Sequence, residues 1–206
     1  MKTNFFVIII ALLFASAGVK AQNKARSITF GFSPIGYNHV NINLDDEKYK
    51  YDYKSYWNAN IGYEKQFKGV VSLTEFTYSH ATFDKYDLTG TSEWFNPAQT
   101  EDLTTMSITT YAGKTINPNK RIQFPVYIGI GGEYLNGGPM HNLAIDLALK
   151  ARVKFYFTNS IGIYVGATGK VGYGMKSASE KSASSKEYYS VIPSMLMLDA
   201  GMVITL

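Results

Sequence analysis

The sequence predicts an all-β protein, an eight-stranded antiparallel up-and-down transmembrane β-barrel, and three observations lead to this prediction. First, every odd position of Leu143–Phe157 is apolar, whereas the even positions include Asp146, Lys150, Arg152 and Lys154. A period of two places these two sets on opposite faces of one strand. Second, seven further segments alternate in a similar way. Third, the chain is 15% aromatic and has a mean hydropathy of −0.10, with no apolar run long enough for a transmembrane helix.

The alternating segments predict eight strands, with approximate bounds Ser27–Val40, Tyr49–Glu64, Val70–Phe83, Leu103–Ile116, Ile122–Tyr134, Leu143–Phe157, Ser160–Gly174 and Tyr188–Leu206. The connections after the second, fourth and sixth strands are short, as in Lys65–Gly69 and Asn117–Lys120. Long polar loops are predicted at Asp84–Asp102 and Met175–Glu187. Short turns at one end and longer loops at the other are typical of barrels in the outer membrane whose two termini are periplasmic.

The second strand is predicted to place its tyrosines, including Tyr51 and Tyr53, on the apolar face, with Lys54 on the polar face. Aromatic residues gather near both ends of the apolar faces, as interfacial girdles do: Tyr49, Tyr51, Tyr134 and Tyr173 at one end, and Phe124, Phe155 and Phe157 at the other. Pro34, Pro125 and Pro193 fall inside strands, where each removes a backbone donor, so we expect bulges or strand ends there.

The first 21 residues are predicted to be a cleavable signal peptide, and residues 22–206 the barrel domain. Lys2 precedes the apolar run Phe5–Phe14, which is too short to span a bilayer, and Val19-Lys20-Ala21 suits cleavage. Removing Lys2 and Lys20 leaves 18 basic against 16 acidic residues, a net charge of +2. This small charge argues against a nucleic-acid partner. The absence of cysteine excludes disulfides and thiolate metal sites, and no cofactor is expected.

A water-soluble barrel would also alternate, but with its apolar face inward. Glycines occupy the polar face of the later strands, at Gly129, Gly131, Gly162, Gly166, Gly172 and Gly174. Glycine weakens strands and has no purpose on a solvated surface, whereas a narrow, crowded lumen requires small residues. Together with the aromatic girdles, this pattern favours the barrel in lipid.

The cleavage sequence Val19-Lys20-Ala21, the eight alternating segments and the final strand Leu196–Leu206 lead to a family resemblance. The mature chain resembles the small eight-stranded outer-membrane proteins of Gram-negative bacteria, of the OmpA-barrel and OmpX type. It departs from them by ending in leucine rather than an aromatic residue. The resemblance implies an outer-membrane location with both termini in the periplasm. It also implies contact with outer-membrane lipid, lipopolysaccharide and the insertion machinery, and loops able to bind an extracellular ligand.

The polar faces supply the candidate site, a network of charges inside the barrel. Eight strands enclose an interior that side chains fill, and an unpaired charge there costs several kcal/mol. We therefore predict a cross-lumen ion network that plugs the barrel, made of Glu64, Glu75, Glu133, Asp146, Lys150, Arg152, Lys154, Lys170 and Asp199. Lys54 and Lys114 are also assigned to the lumen. Arg152 is expected to reach toward Asp199.

Two classes of function remain open, a non-enzymatic barrel with a structural or loop-binding role and a lipid A-modifying enzyme. A deacylase or acyltransferase would need a rim site, for which Ser79, His80 and Asp84 are the candidate group. Because adjacent strand residues point to opposite faces, Ser79 and His80 are not expected to bond, and the non-enzymatic reading is favoured.

Two further sets of residues are candidates for a metal site and for a surface ligand site. The histidines His39, His80 and His141 lie near the loop ends of strands that are not neighbours, so no metal site is predicted. Trp94 and Phe95, in the longest loop, are the candidate surface-loop contacts with a ligand.

Overall fold

The computed structural model describes residues 25–44, 47–89, 102–118, 120–137, 140–177 and 188–206. Within these residues the chain forms eight antiparallel strands and no helix. Their bounds are β1 Ala25–Leu44, β2 Glu47–Phe67, β3 Val70–Thr89, β4 Leu103–Ile116, β5 Ile122–Gly137, β6 Met140–Tyr156, β7 Ile161–Ser177 and β8 Tyr188–Thr205. In this part of the chain no helix is long and apolar enough to cross a membrane.

Each strand pairs with the next one along the chain, and β8 pairs with β1 to close the barrel. The closing ladder begins at Ser27 opposite Thr205. Closure leaves no unpaired edge strand, so every strand can satisfy its backbone groups without water. The predicted eight-stranded up-and-down transmembrane barrel is confirmed.

The apolar residues of the alternating strands face outward, and the polar residues fill the interior. β6 shows this most clearly: Leu143, Ile145, Leu147 and Leu149 are 52–67% exposed, whereas Asp146 between them is 0% exposed. The expected girdle residues Tyr134, Tyr173, Phe124, Phe155 and Phe157 are also exposed on this surface. The outer surface therefore forms an apolar belt suited to lipid.

Short turns join strands at the end that holds the termini, which we call the short-turn end. β2 and β3 are joined by Lys68 and Gly69, with φ of 47° and 83°. Two successive positive φ angles match the right-handed twist of a hairpin. At the opposite, long-loop end the strands are longer than predicted. β3 continues to Thr89 and β7 to Ser177, so the paired strands extend into segments that the sequence suggested were loops.

The predicted faces of the first half of β2 were wrong. Tyr51 and Tyr53 lie inside the barrel, only 7% and 1% exposed, whereas Lys54 points outward and pairs with Asp84 at 2.8 Å. The register with β3 shifts between Asp52 and Tyr53 and again before Trp57. The shift at Asp52 reflects an extra residue in β3, Asp84, whereas the shift before Trp57 reflects an extra residue in β2, Tyr56. This single bulge in β2 reverses the faces of the β2 residues beyond it. Tyr51 therefore belongs to the interior, not to the outer girdle.

The three strand prolines disturb their ladders in two ways. At Pro34 the register of β1 with β8 shifts between Phe32 and Ile35, which is the predicted bulge. At Pro125 and Pro193 the register is the same on both sides, and only the pairs around the proline are missing. The last two sites are therefore gaps in hydrogen bonding rather than bulges.

Candidate functional site

The lumen contains all nine of the charged residues assigned to it from the sequence, each at most 3% exposed: Glu64, Glu75, Glu133, Asp146, Lys150, Arg152, Lys154, Lys170 and Asp199. They fall into two groups along the barrel. Nearer the short-turn end is the lower network, formed by Glu64, Glu75, Asp199, Lys150, Arg152 and Lys154. Above it is the upper cluster, formed by Glu133, Asp146 and Lys170.

Glu75 of β3 is the centre of the lower network. Its two carboxylate oxygens accept hydrogen bonds from Lys150 Nζ and from Arg152 Nη2, both of which come from β6 on the other side of the lumen. Arg152 Nη2 also lies 3.1 Å from Asp199 Oδ2, and Lys150 Nζ lies 3.9 Å from the same oxygen. Two acidic and two basic side chains thus neutralise one another.

A second part of the lower network joins Lys154 to Glu64. Lys154 Nζ donates to Glu64 Oε1, and Tyr127 OH donates to Glu64 Oε2 at 2.7 Å. Tyr164 packs its ring against Arg152, whose guanidinium carbon lies 4.1 Å from the ring centroid. Such cation–π contact and charge-assisted hydrogen bonding offset the cost of burying these ions. The lower network as a whole contains three acids and three bases.

The upper cluster has two acids and one base. Lys170 Nζ donates to Ser107 Oγ at 2.6 Å and interacts electrostatically with both Glu133 and Asp146. Oε1 of Glu133 and both carboxylate oxygens of Asp146 accept no hydrogen bond from the described residues. The cluster therefore has one acid more than its single base can neutralise, and two carboxyl groups in one buried site cannot readily both be ionised.

The third layer of the lumen is apolar, and the sequence reasoning missed it. Toward the long-loop end the interior is filled by Val40, Ile42, Tyr51, Tyr53, Ala81, Leu103, Leu135, Ala144 and Val191, with Phe83 packed against them. These residues are buried as in a soluble core, and we call them the apolar layer. Tyr51 and Tyr53 belong to it because of the bulge in β2 before Trp57, which cannot be read from the sequence alone.

Lys114 was wrongly assigned to the lumen. It is exposed on the outer surface of β4, where it pairs in register with the exposed Val70 of β3. The lumen position beside it is Thr115, which is 2% exposed and donates to Gln66 Oε1 at 3.3 Å. At this mouth the lumen opens into a polar cavity of about 230 Å³.

The candidate rim group does not come together around Ser79. Ser79 faces the lumen and shares a hydrogen bond with Thr105 at 2.6 Å. His80 faces outward, with its Nε2 3.5 Å from Asp102 Oδ2. Asp84 instead pairs with Lys54. Within the described residues no group of three or more His, Cys, Asp or Glu side chains could hold a metal ion.

A different polar pair lies on the outer surface, and the sequence reasoning did not find it. His39 Nδ1 pairs with Asp52 Oδ1, and His39 Nε2 lies 3.0 Å from Asn41 Oδ1. The ring of Tyr37 stacks on the imidazole at 6.4 Å between centroids. His39 and Asp52 are direct cross-strand partners, so the signal would have been the β1–β2 register.

Several predicted features lie outside the described residues. The candidate loop contacts Trp94 and Phe95 are among them, and so is the predicted signal peptide, residues 1–21. Both features therefore stay predictions from the sequence.

A closed ring of eight antiparallel strands with an apolar outer belt and a polar interior is the fold of a small outer-membrane β-barrel protein. The chain belongs to the family described as Domain of unknown function (DUF2715), whose model matches residues 13–206. No curated protein matches the sequence.

Solved structures share the fold at low sequence identity. The outer-membrane protein OprG of Pseudomonas aeruginosa is 12% identical, with a TM-score of 0.57, over 92% of this chain and 98% of that one. Neisserial surface protein A is 10% identical, with a TM-score of 0.47, over 89% of this chain and 99% of that one. The similarity to OprG supports the barrel architecture of this chain.

Proposed function

We propose that the mature chain is an integral outer-membrane protein with a closed lumen and no enzymatic activity. Its role is structural or the binding of a ligand through surface loops. The observation that carries this proposal is the filled interior, in which the lower network, the upper cluster and the apolar layer follow one another along the barrel axis. A water-filled pore would require exposed side chains along the lumen, whereas the charged residues there are at most 3% exposed.

Purified protein in a planar lipid bilayer should therefore show no stable open level, because ions would have to displace paired charges and then cross an apolar layer. A known porin in the same bilayer provides the positive control. Reproducible porin-sized conductance steps would rule out the closed lumen.

We further propose that residues 1–21 are removed on export and that both termini lie in the periplasm. The two long connections, 90–102 and 178–187, both lie at the end opposite the termini, which supports this orientation. Outer-membrane lipid, lipopolysaccharide and the insertion machinery are the partners expected of such a protein, and Trp94 and Phe95 are candidate contacts for an extracellular ligand.

The orientation can be tested with single cysteines, since the native chain contains none. Lys50 is exposed at the long-loop end and Lys120 at the short-turn end. On intact Gram-negative cells, Lys50→Cys should react with a membrane-impermeant maleimide and Lys120→Cys should react only after lysis. The opposite labelling pattern would reverse the proposed orientation.

A lipid A-modifying activity gains no support from the candidate residues, because Ser79 and His80 face opposite sides of the barrel wall. Nucleophilic catalysis requires the base within hydrogen-bonding reach of the nucleophile.

A further inference from the structure

Basic side chains dominate the outside of the short-turn end. Six of them lie there: Arg26, Lys65, Lys68, Lys114, Lys120 and Arg121. We call this set the basic arc, since it runs from β1 through the β2–β3 and β4–β5 turns. Among the described residues, the acidic side chain at this end is that of Glu64, which is buried with Lys154.

The long-loop end has a mixed surface. There, β2 carries three exposed lysines, Lys48, Lys50 and Lys54. Asp52 lies between the last two and pairs with His39. Lys54 is itself paired with Asp84. The excess of positive charge is therefore specific to the short-turn end and does not follow from the composition of the whole chain.

The basic arc lies where the apolar belt ends. Val70, 63% exposed, is the cross-strand partner of Lys114, and Ile122, 45% exposed, follows Arg121 directly. Two of the lysines lie over aromatic rings: Lys65 Nζ is 5.4 Å from the centroid of Tyr63 and Lys68 Nζ is 5.4 Å from that of Phe67. Side chains of this kind rest their stems on hydrocarbon and extend their charge to the headgroup layer.

Two basic side chains of the arc are adjacent between β1 and β2. Arg26 and Lys65 are direct cross-strand partners, and both point to the outer face. Both can therefore attract the same anionic headgroup beside them. Because the surrounding surface is lipid-facing, a lipid phosphate can reach this position while its acyl chains stay in the belt.

We propose that the basic arc binds the phosphate groups of anionic phospholipids in the leaflet at the short-turn end, which is the periplasmic leaflet if the proposed orientation holds. This inference rests on the proposed membrane insertion. Lys120 and Arg121 also line the polar cavity at the lumen mouth. The other four charges lie outside that cavity, spread along the rim beside apolar residues, and there a lipid suits the arc better than a soluble anion. A basic residue near a membrane surface contributes about 1 kcal/mol of attraction to anionic lipid.

The test compares two matched variants. The arc variant carries Lys68→Gln, Lys114→Gln and Lys120→Gln. The control variant carries Lys48→Gln, Lys50→Gln and Lys54→Gln, which removes the same number of exposed lysines from the other end. Each protein is reconstituted in phosphatidylcholine vesicles, and electron paramagnetic resonance measures its association with spin-labelled phosphatidylglycerol relative to spin-labelled phosphatidylcholine.

We expect the wild type and the control variant to prefer phosphatidylglycerol. In the arc variant this preference should fall by at least about fivefold, the equivalent of one lost lysine contact. Equal losses in both variants would overturn the proposal, as would a wild type without any preference. Soluble polyglutamate can be added at the same total negative charge as the phosphatidylglycerol. If it removed the lipid preference, the arc would bind a peptide-like anion, and the proposal would be overturned.

Two controls separate the possible failures. Vesicle flotation in phosphatidylcholine alone tests insertion, so a protein that does not float with vesicles contradicts the proposed function and not only the lipid site. If the arc variant does not fold, the wild type still provides a test. Raising the salt from about 0.01 M to about 1 M shortens the Debye length from about 30 Å to about 3 Å and should abolish the preference. A preference unchanged by salt would refute the basic arc as its cause.

Discussion

The lower network and the upper cluster lie in the same lumen, but their charges are balanced differently. In the lower network three acids face three bases, and Glu75 forms ion pairs with both Lys150 and Arg152. In the upper cluster, Glu133 and Asp146 share the single base Lys170. The lower network thus contributes to closure of the lumen through matched ion pairs. The upper cluster instead contains one acid for which there is no second base.

The largest effect is expected for Glu75→Gln. The substitution keeps the size of the side chain but leaves Lys150 and Arg152 with Asp199 as their remaining acid in the lower network. Breaking a buried ion pair in this way costs roughly 3–5 kcal/mol. Urea unfolding of the protein in detergent micelles measures the change. A loss below about 1 kcal/mol would show that the lower network contributes little to closure.

A smaller loss is expected for Lys170→Met, which leaves Glu133 and Asp146 without their base. We expect roughly 2–3 kcal/mol, less than for Glu75→Gln because a carboxyl group can neutralise itself by taking up a proton. The double variant Lys170→Met with Glu133→Gln should recover part of this loss in the same unfolding experiment. Strictly additive effects would mean that the two residues do not interact.

The smallest effect is expected for Glu133→Gln alone. It removes the excess acid of the upper cluster while Lys170 keeps Asp146 as its partner. The free energy of unfolding should change by less than about 1 kcal/mol, or rise, since a buried acid without a base of its own is replaced by a neutral group of similar size. A loss as large as that of Glu75→Gln would remove the distinction between the two regions.

The alternation in the sequence was sufficient to predict the fold and the side of the wall on which Lys150 and Arg152 lie. It also led to the expected approach of Arg152 to Asp199, which the structure has at 3.1 Å. It could not predict the individual pairs across the lumen, such as Arg152 with Glu75, because they depend on the shape of the closed ring. The alternation also failed at Tyr51 and Lys54, where one bulge in β2 exchanges inside and outside. A bulge depends on the pairing with the next strand, so a period of two within one strand carries no sign of it.

The partners in the lower network are far apart in sequence, and this has a consequence for the kinetics of the protein. Glu75 and Lys150 are separated by 75 residues, and Glu64 and Lys154 by 90. These side chains can meet only when the sheet has curled far enough for β2 and β3 to face β6. The contacts therefore form late, and interactions that are absent from the transition state for folding act mainly on the rate of unfolding. We therefore expect the lower network to slow the unfolding of the assembled barrel more than it speeds its folding.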